Sequence, residues 1–339
     1  MRVEDLARID TELLDRLGVA SAGHYLGELE RIQLAQRGQG TTRYVVARDG
    51  SGRPLGMLPV YTSDPPWHPV ADPVTLFGLP AAAIGPRLCL AGSYGTYANF
   101  LTVAASVTAD AAETVALTLV DRARAVAREA GSAYVVLPYL DETQARWLAG
   151  RDVAAVHTRE KAALPVVWDS FDAYVASLPA RRRTGVRRER RRFLDSAFEV
   201  REERVVDAAP RLAPLLAQTE RRYGREADPR QMAFHYTLLG TYLADDDFVA
   251  LVAYREQRPV ACSLLLTSGT RLISKAWGCD YAAAGDNFLY FNLTFYEPII
   301  RAIARGVEVL DFGLGSLESK AQRGCGMERL QTVLIAAEG

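Results

Sequence analysis

Cysteine and histidine are both scarce in this sequence. There are four cysteines and four histidines in 339 residues. The cysteines show neither the close paired spacing of a zinc site nor the density of a disulfide scaffold, so we expect reduced thiols. The histidines are scattered without the spacing of metal ligands, which argues against a zinc or iron centre. The residues concerned are Cys89, Cys262, Cys279, Cys325, His24, His68, His157 and His235.

Long apolar runs and net charge are also lacking. No run approaches the ~18 consecutive apolar residues of a membrane-spanning helix. The stretch that begins Met1-Arg2-Val3 is acidic and amphipathic and has no apolar signal core. The 40 basic and 41 acidic residues leave a formal charge of −1. We therefore expect a cytoplasmic protein without a membrane span, in which an anionic partner has to meet a local basic patch.

Several motifs of nucleotide binding and nucleophilic catalysis are absent as well. The sequence has no Walker loop and no Gly-x-Ser-x-Gly elbow. Gly313-Leu314-Gly315 lacks the third glycine and the acidic partner of a dinucleotide-binding fold. A covalent mechanism through Cys279 or Cys325 is chemically possible. Each cysteine lies beside glycine in a predicted turn, however, and the simpler interpretation is that its side chain only packs there.

The sequence does contain enough apolar residues for two cores. A length of 339 residues predicts about two domains at roughly 150 residues each, and 49% of the residues are hydrophobic. We place the division between residues 160 and 161. The N-terminal domain is predicted at 1–160 and the C-terminal domain, with the candidate site, at 161–339.

Strand and helix patterns alternate along the first domain. Two strands around Asp49-Gly50-Ser51-Gly52 predict a hairpin, and four prolines between Ser63 and Pro73 predict an irregular loop. A strand, a loop, a long helix, a capping glycine and a second strand follow. The predicted elements are helices Leu6–Leu17 and Gly23–Gln36, strands Thr42–Arg48, Pro54–Tyr61 and Arg87–Ala91, helix Ala109–Ala130 with Gly131, and strand Ala133–Pro138.

The second domain repeats this order after a set of helices. Its pattern predicts an antiparallel meander followed by a parallel crossover, so the fold class is α/β (α+β) with a mixed sheet in each domain. The predicted elements are helices in Phe171–Leu194, Ala208–Tyr223 and Met232–Leu243, strands Phe248–Tyr254, Arg258–Leu266 and Arg271–Trp277, helix Phe291–Ala304, strand Val307–Phe312, helix Lys320–Arg329 and strand Gln331–Ala336.

The crossover stretch also carries a family resemblance. Its pattern is Trp277-Gly278-Cys279, Tyr296-Glu297-Pro298-Ile299, Ala302-Ile303 with Arg305-Gly306, Phe312-Gly313 with Gly315, and Lys320 with Arg323-Gly324. This pattern resembles the C-terminal half of the FemAB-like proteins, which belong to the tandem acyltransferase domains of the GNAT superfamily. The resemblance implies two tandem GNAT-like domains, each a mixed twisted sheet flanked by helices, and a transferase that makes an amide.

One segment has an unusual local composition. Eight of the twelve residues from Arg181 to Arg192 are arginine, in a chain that is otherwise neutral. Such a run can hold phosphates through charge-assisted contacts, although runs of charge are commonly solvated helix faces. A donor carried on tRNA needs a patch of this kind. The residues predicted to bind RNA phosphates are Arg181, Arg182, Arg183, Arg187, Arg188, Arg190 and Arg191.

The acyl donor is left open between two chemistries. GNAT enzymes that use coenzyme A carry an Arg/Gln-x-x-Gly-x-Gly/Ala turn before the crossover helix, where its amides hold the pyrophosphate. Gly278–Phe288 has no arginine or glutamine at the required offset, and Gln36–Thr41 lies in the wrong context. Aminoacyl-tRNA is therefore the predicted co-substrate, acyl-CoA is the alternative, and a non-catalytic protein that binds a peptide-like ligand is a third reading. No metal or other cofactor is expected.

Three residues are candidates for catalysis. Asp311 lies near the C-terminal end of a predicted buried strand and could orient or deprotonate an amine, or simply cap the following loop. Lys320 could stabilise an oxyanion, or be an exposed lysine in the first turn of a helix. Glu297 could act as a base, or pair with Arg301 four residues later.

Two groups of residues are candidates for substrate binding. The first lies on a polar loop of the N-terminal domain and the second near the crossover, where aromatic side chains could equally belong to the core. They are Ser93, Tyr94, Tyr97 and Asn99, and Trp277, Tyr281, Tyr290, Tyr296, Gly313, Gly315 and Arg323. With these residues, the activity that the resemblance implies is direct attack by the amine of a small metabolite or cell-wall precursor on a bound aminoacyl ester.

Overall fold

The computed structural model describes residues 1–18, 40–67, 71–93, 97–241, 243–244 and 246–338. The predicted helix Gly23–Gln36 and the candidate residue Tyr94 lie outside the described residues. The chain divides into two compact units, Met1–Glu160 with Glu328–Gly339, and Lys161–Met327. Although residues 328–338 end the described chain, they lie in the first unit.

The strands of the described residues are, in chain order, β1 Arg2–Leu6, β2 Gly40–Arg48, β3 Pro54–Ser63, β4 Leu88–Ala91, β5 Thr102–Val103, β6 Tyr134–Leu140, β7 Val153–Pro165, β8 Glu199–Arg204, β9 Phe248–Arg255, β10 Arg258–Ser268, β11 Arg271–Cys279, β12 Val309–Gly313 and β13 Gly326–Ala336.

The helices are α1 Thr11–Leu17, α2 Pro73–Phe77, α3 Ala109–Glu129, α4 Glu142–Trp147, α5 Phe171–Ser177, α6 Ala180–Leu194, α7 Val205–Arg222, α8 Pro229–Thr241, α9 Tyr281–Ala284, α10 Leu289–Phe291, α11 Glu297–Ala304 and α12 Leu317–Ala321. A π-helical segment, Asn292–Tyr296, joins α10 to α11.

The first unit is built on a mixed sheet with the strand order β1-β2-β3-β4-β6-β13. All neighbours in it are antiparallel except β4 and β6, which are parallel and joined through α3. Helix α3 buries Val115, Leu119 and Ala123 at helical spacing against the sheet and ends before Gly131, which has φ of 74°. The predicted hairpin, long helix and capping glycine of this unit are confirmed.

Two helices predicted from periodicity are wrong in part. The predicted helix Leu6–Leu17 begins only at Thr11, where Asp10 caps it by accepting from the Leu13 amide at 2.8 Å. The residues before it form β1, because they find the open edge of β2, with Leu6 opposite Tyr44. The predicted helix Lys320–Arg329 ends at Ala321, because the chain from Gly326 onward is extended as β13.

The second unit contains the strand order β7-β12-β11-β10-β9-β8. The predicted hairpin is confirmed as β9 and β10, turned through Glu256-Gln257, which both have positive φ. Strand β11 is antiparallel to β10 and parallel to β12, and the crossover between β11 and β12 runs through α9 to α11. The edge strand β8 and the long strand β7 were not predicted. Both strands are rich in charged or alternating polar residues and lack a clear apolar pattern. They form because they pair with neighbouring strands.

Helix α7 packs closely on the sheet of the second unit at Gly278. A Cβ atom at this glycine would lie 2.7 Å from the Leu216 nitrogen and 2.9 Å from the Cys262 sulfur. The first of these is a backbone atom of α7, which no rotamer change can move. The helix can therefore approach the end of β11 only where the strand has no side chain.

Replacing Gly278 by alanine is expected to force α7 away from the sheet and to lower the free energy of unfolding by about 1–3 kcal/mol. Denaturant unfolding measures this change. Gly50→Ala is the matched control, since nothing lies within 4 Å of its added Cβ, and it should stay within about 0.5 kcal/mol of wild type. Equal stability of the two variants would contradict the close approach.

Candidate active site in the second unit

The parallel strands β11 and β12 diverge after three pairs of residues. Arg271, Leu272 and Ile273 face Val309, Leu310 and Asp311, and no further pairs follow between these two strands in the described residues. Beyond this point β11 exposes four consecutive half-buried residues, 274–277, although it is a central strand. The divergence lies at the carboxyl ends of two parallel strands, where open α/β sheets bind ligands, and we refer to the space between the diverging strands as the cleft.

A bulge in each strand accompanies the divergence. In β11 the register against β10 shifts at Lys275, since Ser274 faces Leu265 and Ala276 faces Leu264. In β12 the register against β7 shifts at Phe312. A bulge bends its strand and increases the local twist, so the two bulges turn the strands away from one another.

Asp311 lies at the end of β12 and is 1% exposed. Its Oδ1 accepts the Gly313 amide at 2.9 Å and its Oδ2 is 2.8 Å from the Lys161 ammonium. Arg271 approaches the same oxygen at 3.6 Å. The carboxylate therefore caps the loop that follows it, which was one of the two alternatives raised by the sequence.

Lys320 is buried rather than an exposed lysine of a first helical turn. The residue is 4% exposed, and its Nζ donates to the carbonyl oxygens of Phe312 at 2.5 Å and Gly313 at 3.1 Å. Burial lowers the pKa of Lys320 to about 8, against the opposing effects of Cys325 and Asp311. Lys320 and Asp311 thus both bind the backbone of the β12 bulge.

Glu297 has a different partner from the one proposed for it. Its carboxylate accepts from Arg190 of α6 at 2.6 Å, whereas Arg301 pairs with Glu202. The Arg190 guanidinium also donates to the buried side chain of Asn292 at 3.2 Å. Glu297 therefore anchors the arginine-rich helix to the π-helical segment.

Aromatic side chains line one wall beside the cleft. Trp277 of β11 packs edge-on against Tyr290 at 5.3 Å between ring centroids, and Tyr290 contacts Phe291 and Phe295 in the same way. Burial raises the pKa of Tyr290 to about 12. Tyr281 packs against the same core cluster and lies under the guanidinium of Arg222 at 4.2 Å. The structure therefore brings Trp277 and Tyr290 into ring contact, whereas Tyr281 stacks with Arg222.

Arg323 connects this wall to the arginine-rich helix. It is 5% exposed, lies 3.5 Å above the Phe291 ring and donates to Glu189 of α6 at 2.8 Å. The hydroxyl of Tyr296, a fully buried residue, donates to the same carboxylate. Tyr296 is thus a core residue, and Arg323 is held from both sides.

The two glycines of the loop after β12 differ in their surroundings. Gly313 has φ of 67°, and its amide is already taken by Asp311. A Cβ atom at Gly315 would meet nothing within 4 Å. The next residue, Ser316, has a positive φ of 53° although it is not glycine, a conformation that costs energy and is often found at functional sites.

Packing divides the arginines of α6 into two sets. One face of the helix buries Val186 and Phe193, and the half-buried Arg182, Arg183 and Arg190 on this side have partners. Arg182 donates to Gln322 at 2.8 Å and Arg183 donates to the Leu178 carbonyl at 3.2 Å. The other face exposes five arginines that form no ion pair with the described residues, Arg181, Arg187, Arg188, Arg191 and Arg192. We call these five residues the arginine stripe.

Two open cavities flank the arginine stripe. One of about 360 Å³ lies between α6 and residues Gln322 and Arg323, and the other of about 670 Å³ lies beside Asn287. Arg188 lines both. Gly185 contributes only backbone to the lining of the first cavity, and an added Cβ would meet nothing within 4 Å.

The polar loop of the first unit is structural where it can be described. Asn99 is 1% exposed, and its amide donates to the Ala91 carbonyl at 3.1 Å and the Pro138 carbonyl at 2.7 Å. Its Oδ1 accepts the Leu101 amide at 3.0 Å. Ser93 is fully buried, and Tyr97 packs edge-on against Tyr139 at 5.4 Å. Asn99 thus joins β4 and β6, and both N–H groups of its amide are taken by backbone carbonyls.

Two residues near the cleft were not found from the sequence. Lys161, which is 6% exposed, has no motif around it and pairs with Asp311 across 150 residues of chain. Burial and the charge of Lys275 lower the pKa of His235 to about 4, so its imidazole is neutral at physiological pH. Neither residue carries a local signal, because each is brought to the cleft by tertiary packing alone.

Neither a cluster of metal-ligating side chains nor a membrane-spanning helix occurs in the described part of the chain. No group of three or more histidine, cysteine, aspartate or glutamate side chains there could hold a metal ion. Of the helices formed by these residues, none combines the length and apolar character needed to cross a membrane.

Solved structures with a similar fold cover nearly the whole chain. A structure of FemX has a TM-score of 0.64 at 12% identity, over 97% of this chain and 96% of that one. The C-terminal domain of a putative lysylphosphatidylglycerol synthetase from Agrobacterium fabrum has a TM-score of 0.57 at 13% identity, over 95% and 91%. A tandem GNAT protein from the clavulanic acid biosynthesis pathway has a TM-score of 0.54 at 14% identity, over 100% and 99%.

These similarities and the mixed strand order within each unit define the class of fold as two tandem GNAT-like domains. The model of the FemAB-like family, described as peptidoglycan biosynthesis/recognition, matches residues 101–335. The chain belongs to the FemAB-like family. Family and fold together support an acyltransferase. A search of curated protein sequences finds no match.

The depressed pKa of Lys320 predicts a pH dependence of stability. Between its folded pKa of about 8 and its usual value of 10.5, the unfolded chain binds more protons at this residue. The contribution of Lys320 to stability therefore rises with pH across this window. Raising the pH from 7 to 9.5 should increase the stability of wild type relative to Lys320→Met by about 2 kcal/mol. Denaturant unfolding of both proteins at each pH checks this, and a constant difference would contradict the burial of the ammonium.

A second prediction concerns Asn99. Asn99→Ala leaves two buried carbonyls and one amide without a partner and should lower the free energy of unfolding by about 2–4 kcal/mol. The half-buried Asn287, which makes one side-chain bond of 2.8 Å to Ala284, is the matched control and should lose about 1 kcal/mol or less on replacement by alanine. If Asn99→Ala lost activity without a change in stability, the structural role would be contradicted and Asn99 would again be a candidate for substrate binding.

Proposed function

We propose that the protein moves an aminoacyl group from aminoacyl-tRNA to an amine of a small metabolite or cell-wall precursor. The observation that carries this proposal is the arginine stripe. Its five guanidinium groups face away from the core and have no acidic partner among the described residues. In a chain with a formal charge of −1, such a local excess of positive charge favours an anionic partner.

The dimensions of the stripe suit a nucleic acid backbone. Arg181 and Arg192 are separated by eleven residues, which corresponds to ~16 Å along an α-helix. That length faces several phosphates of one strand, so a single helix can neutralise more than one of them. Arginine also binds phosphate through two parallel hydrogen bonds, which makes it better suited than lysine to a fixed docking position.

The cleft between β11 and β12 suits the acyl end of the donor. The half-buried residues 274–277 offer backbone groups that are not paired with β12, and Trp277 and Tyr290 provide an apolar wall. In the reaction the acceptor nitrogen bonds to the ester carbonyl carbon and the ester C–O bond breaks. The ribose hydroxyl of the tRNA leaves, and the proton lost by the amine passes to that oxygen or to water.

Acyl-coenzyme A is the alternative donor. Its pyrophosphate would have to be bound by the loop before the crossover helix, so the conformation of this loop is relevant to the choice of donor. In this loop Asp280 caps the short helix α9 through the Ala283 amide at 3.1 Å, and Phe288 has a positive φ of 55°. The loop is therefore occupied by a helical turn instead of a run of free glycine amides. This arrangement favours a donor that is held by charge at the arginine stripe over one held by a pyrophosphate loop.

The stripe can be tested without disturbing the core. Arg187→Ala, Arg188→Ala and Arg191→Ala together should weaken binding of aminoacylated or bulk tRNA at least tenfold near 100 mM salt. The slope of log K against log salt should fall by about 2–3, because three phosphate contacts are lost. Fluorescence anisotropy of labelled tRNA over a salt series measures both quantities.

A control variant that removes the same number of positive charges elsewhere distinguishes binding at the arginine stripe from nonspecific electrostatic attraction of tRNA. Arg8, Arg146 and Arg151 are exposed in the first unit and form no ion pair with the described residues. Their triple alanine variant should bind tRNA within twofold of wild type. Thermal stabilisation of the wild type by acetyl-CoA, without a tRNA complex, would replace the proposal by an acyl-CoA-dependent enzyme. Binding of neither donor would leave a non-catalytic ligand-binding protein.

A further inference from the structure

We propose that Lys161, Asp311 and Lys320 are positioning residues that hold open the cleft between β11 and β12. Asp311 and Lys320 bind the backbone of the β12 bulge, where the ladder to the neighbouring strands is interrupted, and Lys161 pairs with Asp311. The inference rests on the proposed function, because it assigns these residues to the placement of the donor's acyl end rather than to proton transfer.

The bulge itself is defined by the register of β12 on β7. Asp311 faces Ala163 and Gly313 faces Ala162, so Phe312 is the extra residue. Gly313 adopts φ of 67°, which is accessible to glycine at little cost. Phe312 turns towards the core and packs on Phe295 at 4.6 Å between ring centroids. The strand is bent at the point where it leaves β11.

Side chains supply the hydrogen bonds that the bulge removes from the ladder. The Gly313 amide is bound by Asp311 at 2.9 Å, and the carbonyls of Phe312 and Gly313 are bound by Lys320 at 2.5 and 3.1 Å. Three backbone groups at this buried site are thus satisfied by two ionic side chains. Without them each group would carry the cost of a buried unpaired hydrogen-bonding group, and the strand would gain by returning to regular pairing.

Lys161 compensates the charge of this buried carboxylate and holds it in place. Its ammonium lies 2.8 Å from Asp311, and both side chains are almost completely buried, at 7% and 1% exposure. Arg271, the other cation close to Asp311, is more exposed and lies farther away at 3.6 Å. Removal of Lys161 leaves a buried carboxylate with its closest cation missing, an uncompensated charge that destabilises this arrangement and its bond to Gly313.

The position of the bulge explains why it matters for the reaction. The last parallel pair is Ile273 with Asp311, immediately before Phe312. A regular β12 would extend this ladder along residues 274–277 of β11 and close the cleft at the backbone groups offered to the donor. A shift of one residue would also move Phe312 to the opposite face of the sheet. The buried charges therefore select the open arrangement of the two strands.

The decisive measurement is the split between turnover and tRNA binding. Lys161→Met should lower kcat at least tenfold while the Kd for tRNA stays within twofold, because the arginine stripe is untouched. Arg301→Met is the matched control: Arg301 is a cation of the same unit whose side chain is largely enclosed and pairs with Glu202 away from the bulge. Its kcat should stay within threefold when both variants are assayed well below their melting temperatures.

A double variant keeps the inference testable if Lys161→Met folds poorly. Lys161→Met with Asp311→Asn removes both buried charges together, so no uncompensated carboxylate remains. If the residues act as one unit, its kcat should be no lower than that of Lys161→Met alone. Losses that multiply would show independent roles and overturn the inference. So would an unchanged kcat in Lys161→Met, or an equal loss of kcat and tRNA affinity.

Hydrogen exchange separates this inference from the assignment of the donor. In Lys161→Met the amide exchange of a peptide spanning residues 309–316 should become at least tenfold faster, while β9 and β10 remain as in wild type. If the wild type is inactive with aminoacyl-tRNA but this local change is found, the donor assignment fails and the bulge assignment stands. Unchanged exchange in this peptide would overturn the bulge assignment whatever the donor is.

Discussion

Strands β11 and β12 can stay apart only if the backbone groups they leave unpaired find other partners. At the end of β12 these partners are the carboxylate of Asp311 and the ammonium of Lys320, each bound to the bulge at Phe312 and Gly313. Ionic side chains are costly to bury, and Lys161 offsets the charge of Asp311 at 2.8 Å. The cleft, its aromatic wall and the loop into α12 all follow from this local departure from regular pairing.

The arginine-rich helix shows how one composition can serve two purposes. Its inward arginines are tied to acceptors that include Gln322 and Glu297, and Glu189 of the same helix holds Arg323 over the Phe291 ring. These contacts orient the helix against the π-helical segment. The outward arginines are then displayed at a fixed place beside the cleft wall. An isolated charge on the surface gains little from a partner in water, so their number and alignment matter more than any single residue.

The first unit shows the same order of elements with a different outcome. Strands β4 and β6 are also parallel and also joined by a crossover helix. Here the amide of Asn99 donates to the carbonyls of both strands beyond their paired residues, and the side chain is completely enclosed. The polar loop that the sequence marked for substrate binding is, in its described part, an element that ties two strand ends together.

Local sequence patterns determined much of the secondary structure and the family. Turn residues predicted both hairpins, helical spacing and Gly131 predicted α3, and the spaced identities from Trp277 to Gly324 predicted the FemAB-like resemblance and the tandem fold. Periodicity failed at β1, β7, β8 and the end of α12, because pairing with a neighbouring strand outweighed the local pattern. Only the tertiary structure decided which arginines point outward, that Glu297 pairs with Arg190, and that Lys161 meets Asp311. Those contacts join residues more than 100 positions apart, where neither spacing nor propensity carries information.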